Sequence, residues 1–483
     1  MPELTRRHRA LVLLICCSSL FIVSMDNTIV NLALPAIQRD LGSSVSGLQW
    51  TIDAYIVVLA GLLMLAGSTA DRVGRRRVFQ VGLVMFAIGS LLCSVAPNIG
   101  SLIAFRAVQA IGGAMLNPVA MSIITNTFTE PRERARAIGM WGAVAGVSMA
   151  IGPLVGGVLV DTVGWRSIFW INVPVTVVAF VLAARFVPES RAARPRRIDL
   201  FGQLLIAVTL VALTFGIIEG SGYGWGSPLI VGCFVVAAAA AIGLVAVESR
   251  SPEPLIDPRF FRSIPFSSAV VTAVCAFAAL AGFLFLNALY LQNVRGYTPL
   301  QAGLLTLPMA AMAALFPLLS GRIVGTRGSR IPLLVGGAGI VVGTGLLFAV
   351  IAPDTPLPVL MLAYVVFGIG FGMVNAPITN AAVSGMPLAQ AGVASAVAST
   401  SRQIGTALGV AVIGALVTSQ VAGPFADAFT AASRLGWAVM VGCGVVVFVV
   451  GIVSTGPRAR ATVASTAALF DAPPAPERAR ASR

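Results

Sequence analysis

Four charged residues stand deep inside long apolar runs of this chain: Asp26, Asp53, Arg106 and Arg402. A charge at the centre of a membrane helix costs about 2.5–3.5 kcal/mol to insert, so each of these demands a partner or a task. The first three share a depth. Counted at 1.5 Å per residue from the edges of their runs, Asp26, Asp53 and Arg106 lie roughly 9–12 Å below the same interface. Two carboxylates and one guanidinium so placed can form a static buried ion pair that sets helix register. They can also carry a proton, because burial disfavours an ionised carboxylate whereas a neighbouring guanidinium favours it. Asn27 and Asn31 extend the polar surface beside Asp26. Arg402 has Gln403 next to it and no acid in its own run, which leaves Asn375 and Asn380 on the preceding run as its expected partners. Glu219 falls at the end of another run, beside G-S-G-Y-G-W-G, and reads as solvated.

A second cluster is G-S-T-A-D-R-V-G-R-R-R, Gly67 to Arg77, between two apolar runs. Asp71 there can accept hydrogen bonds from Arg residues or from a neighbouring helix N-terminus. Gly67 permits close helix approach and Gly74 suits a tight turn, while Arg76 and Arg77 read as topological. Two glycine-rich runs complete the set. In Gly142 to Gly157 the pairs Gly142/Gly146 and Gly152/Gly156 each share a helix face. Pro153 there removes a backbone hydrogen bond, and Gly157 follows Gly156. F-G-I-G-F-G-M-V-N-A-P, Phe367 to Pro377, suits a bent or discontinuous helix lining a cavity, or else a tightly packed one.

The elements that must position these residues are membrane helices. The chain has 483 residues, of which 57% are hydrophobic and 10% charged, with mean hydropathy +0.93. A soluble protein carries roughly 25% charged residues. Fourteen apolar segments approach the ~20 residues needed to span a bilayer. They fall near 10–34, 47–68, 78–96, 100–126, 136–160, 167–187, 200–218, 229–247, 267–291, 299–320, 331–351, 358–383, 389–417 and 434–455. The fold class expected is an all-α polytopic membrane protein. The first segment follows Arg6, Arg7 and Arg9 like a secretory signal, but it runs too long and reads as a span.

All 32 basic residues are Arg, and the net charge is +14. On a soluble chain this would suggest nucleic acid; here it reports orientation, so no nucleic-acid partner is expected. Twenty-six of the arginines fall in the tails and loops on the N-terminal side, against Arg39, Arg166, Arg295 and Arg434 opposite. Both termini are therefore expected in the cytoplasm. Abundant Ala and the absence of Lys suggest a GC-rich bacterium and hence its inner membrane. Without Lys there is no P-loop. The single His, His8, excludes His-based zinc sites and Ser-His-Asp triads. The six cysteines lie in apolar runs without metal-type spacing, so no metal site is expected. The longest connections on the N-terminal side flank the seventh and eighth spans. They suggest a cytoplasmic tail over 1–9, a six-helix bundle over 10–187, two linking helices within 188–266, a second bundle over 267–455, and a disordered cytoplasmic tail over 456–483.

At these motifs the chain resembles the major facilitator superfamily, specifically its fourteen-span drug:proton antiporter branch. Gly67-x-x-x-Asp71-Arg72-x-Gly74-Arg75-Arg76 resembles the signature between spans 2 and 3, and M-D-N-T-I-V-N-L-A-L-P, Met25 to Pro35, that of span 1. R-A-V-Q-A-I-G-G-A from Arg106, the span-5 Gly-Pro run, G-W-R-S-I-F-W-I-N-V-P from Gly164 and S-R-Q-I-G-T-A-L-G-V-A from Ser401 are similar to further signatures. The resemblance implies two six-helix bundles around a central cavity, with spans 7 and 8 inserted, and alternating access driven by the proton gradient without a cofactor. It places Asp26, Asn31, Asp53, Arg106, Asn375 and Arg402 in the proton and substrate pathway. Gly67, Asp71, Arg72, Gly74 and Arg75 would form a cytoplasmic gate, and Gly146, Gly152, Pro153, Gly156 and Gly157 the antiporter helix. Ser320 to Arg330, the second-half counterpart of the gate, lacks the acid. The activity implied is export of amphipathic, often cationic or aromatic small molecules from the bilayer by a monomer. The alternatives are a dedicated exporter of one metabolite, such as an antibiotic, lipid precursor or amino acid, and a membrane-embedded enzyme or sensor. The lack of catalytic constellations argues against the last.

Overall fold

Apolar runs this long fold as helices because a bilayer leaves every backbone polar group to be satisfied within its own segment. The computed structural model describes residues 5–192, 199–251, 257–384, 391–420 and 425–471. Its helices are α1 (Arg6–Leu41), α2 (Val45–Val73), α3 (Arg75–Ser94), α4 (Ile99–Thr127), α5 (Pro131–Thr162), α6 (Ser167–Trp170), α7 (Asn172–Phe186), α8 (Leu200–Tyr223), α9 (Pro228–Glu248), α10 (Ile264–Leu289), α11 (Pro299–Arg327), α12 (Arg330–Val350), α13 (Leu357–Val383), α14 (Ala391–Thr418), α15 (Phe425–Val453) and α16 (Pro457–Asp471). Among the described residues, fourteen helical segments are long and apolar enough to cross a membrane. Helices α6 and α7 together make one of these, and a π turn at Tyr290–Val294 lengthens α10.

The helices outrun the apolar segments because hydrogen bonding continues to a cap rather than to the last apolar residue. Thr5 caps the start of α1 and Gly42, in the left-handed region at φ 61°, closes it. On the same principle, Asn98 with Ser101 and Thr298 with Gln301 form capping boxes at α4 and α11. Arg434, expected in a loop, lies within α15.

Helices α1–α7 pack chiefly among themselves, as do α10–α15, and α8 pairs with α9. The larger groups meet chiefly through α5 against α11 and α2 against α14, with α1 against α10 beside them, and α8 touches both α2 and α14. Helix α9 is apolar on every face and largely uncovered by protein, as suits a lipid-facing helix.

Two expectations change, for the tail and for Gly67, and the Phe367–Pro377 run takes the packed one of its two readings. The tail is helical over α16, with Ala459 and Thr466 buried and Thr462 Oγ1 accepting from Ile264 N at 3.1 Å. The Pro-rich composition behind the disorder reading belongs to residues 472–483, outside the described residues. The Phe367–Pro377 run lies in one uninterrupted helix. Its glycines serve packing: a methyl at Gly370 would fall 2.6 Å from Ile340 N, and one at Gly372 2.8 Å from Phe316 Cβ. Gly67 makes no close approach, since a methyl there would meet only Pro118 Cβ at 3.9 Å.

Candidate functional site

Arg106 on α4 is 1% exposed and Asp26 on α1 is 2% exposed. Arg106 Nη1 donates to Asp26 Oδ2 at 2.5 Å and to Gln109 Oε1 at 2.7 Å, and its Nε donates to Thr51 O at 3.1 Å. Asp26 Oδ1 accepts from Gln109 Nε2 at 2.9 Å and Asn172 Nδ2 at 3.0 Å. Ser90 Oγ accepts from Gln109 at 2.8 Å and from Asn172 at 3.3 Å. The guanidinium lies over the Tyr55 ring, 4.2 Å from its centroid. One ion pair is thus held by side chains or backbone from α1, α2, α3, α4 and α7. A buried pair persists only with further hydrogen bonds to support it, and here Thr51 O, Gln109 and Asn172 supply them.

Asp53 does not join this network. It is fully buried on α2, and among the described residues neither carboxylate oxygen has a hydrogen-bond partner. One turn earlier on α2, Gln49 Nε2 donates to Val410 O at 3.1 Å and Ala411 O at 2.9 Å on α14. Asp53 therefore lies beside the seam between the two groups of helices. Asn31 donates to Asn27 O at 2.9 Å, a bond within α1, and its Oδ1 is buried without a donor.

The seam is closed on the side opposite the termini. Gln292 donates to Leu32 O at 2.8 Å, Asn293 to Gln38 Oε1 at 3.2 Å, and Leu300 N to Asp161 Oδ2 at 3.2 Å. A methyl at Gly157 would fall 2.7 Å from Leu300 Cα, and one at Gly303 would strike Pro153 O. A methyl at Gly146 would fall 3.2 Å from Ala314 Cα. Gly152 and Gly156 instead receive α1, at Thr28 and Ile29. Toward the termini the contact fades. Gly139 and Gly142 on α5, and Gly321 and Gly325 on α11, would find nothing within 4 Å of an added methyl. The Gly142/Gly146 pair thus does not act as one packing face.

Glu219 is not simply solvated. Its Oε1 accepts from Trp50 Nε1 at 2.8 Å, tying α8 to α2. Arg402 on α14 donates to Thr379 Oγ1 at 2.7 Å, not to Asn375 or Asn380. Those two bond to Phe371 O and Ser329 Oγ instead.

At the α2–α3 turn, Asp71 Oδ1 accepts from Arg75 Nε at 3.0 Å and Nη2 at 2.8 Å. Gly74, at φ 128°, leaves room for Glu189, whose Oε1 would lie 2.7 Å from a methyl there. Glu189 Oε1 accepts from Arg76 N at 3.1 Å, placing a carboxylate on the N-terminus of α3. Its Oε2 faces Arg76 and Arg77 at 3.9 and 3.7 Å, so those arginines do more than set topology.

Sequence reading missed Gln109, Asn172, Ser90 and Glu189. Gln109 was within reach of it, three residues from Arg106 on the same helix face. Asn172 sat inside a quoted motif, but only the packing of α7 brings it to Asp26.

Comparison with known proteins agrees with this architecture. The chain is 37% identical over 413 residues to the multidrug resistance protein Stp of Mycobacterium tuberculosis, covering 86% of this chain and 76% of that protein. It is 34% identical over 467 residues to the tetracenomycin C resistance and export protein of Streptomyces glaucescens, covering 96% and 82%. A POT family transporter solved in complex with 5-aminolevulinic acid superposes with a TM-score of 0.69 at 16% identity, covering 95% of this chain and 99% of that one. The model of the Major Facilitator Superfamily matches residues 16–410, and with fourteen membrane helices and a seam closed on one side, this chain belongs to that family.

Proposed function

We propose that this protein exports amphipathic small molecules across a bacterial inner membrane in exchange for protons, working as a monomer with both termini in the cytoplasm and no cofactor. The observation that carries the coupling is Asp53, a carboxylate buried without a donor one turn from the closed seam. Burying an unpaired carboxylate costs far more than burying the neutral acid. Asp53 therefore takes up a proton while the outer side is open, and neutralisation lets α2 close on α14. Cytoplasmic release of that proton restores the charge and favours reopening to the outside with substrate aboard. Asp26, saturated by Arg106, Gln109 and Asn172, holds the helices that carry this movement. Asp71 with Arg75, and Glu189 with Arg76, brace the cytoplasmic gate. The related resistance proteins support export as the direction of transport.

Purified protein in liposomes with an imposed pH gradient tests this. A transported compound added to one side is expected to drive proton movement in the opposite direction. Asp53→Asn is expected to abolish that proton flux while substrate–substrate exchange continues. Absence of substrate-dependent proton flux across a broad panel of compounds would overturn the proposal. The relative named for a single antibiotic favours a second reading, export of one endogenous metabolite. A response to one compound alone on that panel would select it.

A further inference from the structure

Of the four charged residues deep in the helices, three are sealed: Asp26, Asp53 and Arg106 are each no more than 2% exposed. Arg402 alone of these is half-buried. It stands eight residues before Val410 on α14, about 12 Å toward the termini from the closed seam. That is the side on which the two groups of helices part. Its hydrogen-bonding capacity is incompletely used. Among the described residues the only hydrogen bond of its side chain is to Thr379 Oγ1, at 2.7 Å, and no carboxylate lies within ion-pair distance. Its Nε is buried and has no acceptor. The guanidinium sits 5.8 Å from the centroid of the Phe277 ring, which itself meets Phe371 edge-on at 5.2 Å.

A guanidinium presents five N–H donors in a fork that fits a carboxylate in two parallel bonds. Here one neutral hydroxyl takes one donor, and a buried N–H is left over. Such a group usually has an explanation in function. The acids that could neutralise it are committed elsewhere: Asp26 to Arg106, and Asp53 behind the seam.

We propose that Arg402, with Thr379 and Phe277, forms the binding site for the acidic group of an aromatic carboxylate, so that the exported molecules are organic anions rather than cations. This rests on the exporter reading above and names its substrate class. The aromatic ring lies along Phe277, and the carboxylate takes the free edge of the guanidinium, including the unfilled Nε–H. Thr379 holds the guanidinium in place.

The test uses the purified full-length chain and two probes with the same ring, 2-naphthoate and 2-naphthylmethylammonium. Equilibrium dissociation constants are measured for both, and efflux of each is followed in proteoliposomes. The wild type is expected to bind the anion more tightly than the cation. Arg402→Gln is expected to lower the anion-to-cation preference by tenfold or more. Arg402→Lys, which keeps the charge without the fork, is expected to retain an intermediate preference. A preference unchanged in Arg402→Gln, or an equal weakening of both probes, would overturn the proposal. An equal weakening marks a structural arginine. The exporter reading fails separately: naphthoate bound through Arg402 but moved by no gradient would leave this site standing and remove transport. Efflux of the cation alone would remove this site and leave transport.

Discussion

At the scale of the residue, the two acids of the first two helices have opposite surroundings. Asp26 receives three donor side chains and Asp53 receives none. Removing one partner of a buried ion pair leaves an uncompensated charge and costs about 3–5 kcal/mol. Asp26→Asn is therefore expected to lower thermal stability strongly in detergent. Asp26→Asn combined with Arg106→Gln should recover a large part of that loss, and an additive double variant would show the pair to be uncoupled. Asp53→Asn works in the other direction. It replaces a carboxyl that must gain a proton before it can be buried with an amide of the same shape that needs none, so stability at alkaline pH is expected to rise by about 1–2 kcal/mol while proton coupling is lost. Thermal unfolding beside flux measurements reads both, and a destabilised Asp53→Asn would mean that the carboxylate has a partner. Both acids were legible in the sequence because a charge in an apolar run stands out. Which of them holds Arg106 was not, because depth along a helix is set by counting whereas direction around it depends on neighbours.

At the scale of the element, helix α5 carries two kinds of glycine. Gly157 abuts the Leu300 backbone across the seam, whereas Gly142 faces open space. Overpacking a tight contact costs about 1–3 kcal/mol. Gly157→Leu is expected to hold the outer side ajar and reduce transport at least tenfold, whereas Gly142→Ala should transport normally. Equal transport by the two variants would remove the α5–α11 crossing from the mechanism. At the α2–α3 turn the Asp71–Arg75 pair is partly exposed and contributes at most about 1 kcal/mol to stability. Asp71→Asn should unfold within a degree or two of the wild type yet exchange substrate more slowly. Unchanged exchange would reduce the gate to a topology signal. The glycine spacings were plain in the sequence, but their meaning was not. The Phe367–Pro377 glycines and those of α5 look alike in one dimension, and only the neighbouring backbones separate packing within one group of helices from packing across the seam.

At the scale of the whole molecule, the two groups of helices meet on the side away from the termini and part toward them. Gln49 is sealed in the seam, while Thr379 is exposed. With native cysteines replaced, Thr379→Cys is expected to react with a membrane-impermeant maleimide from the side of the termini. Gln49→Cys should stay unreactive from either side until turnover opens the seam. Labelling of Gln49→Cys at rest would mean that the outward-open form dominates. Helix α8 joins this movement, since Glu219 accepts from Trp50 on α2 and Ser221 lies 3.3 Å from Thr418 on α14. Helix α8 thus spans both sides of the seam at its closed end.

The sequence alone determined the fourteen spans, the sorting of arginines to one side and the shared depth of Asp26, Asp53 and Arg106. Each of these is a property of position along one axis, because a bilayer selects on length and apolarity segment by segment. The tertiary structure decided what lies sideways: that Arg106 takes Asp26, that Asn172 joins them, that Arg402 turns to Thr379, and that Glu189 rather than topology alone engages Arg76. In a soluble helix the polar face announces the direction of the core. Here lipid-facing and protein-facing surfaces are equally apolar, so rotation about each helix axis is fixed only by the shapes and hydrogen bonds of its neighbours.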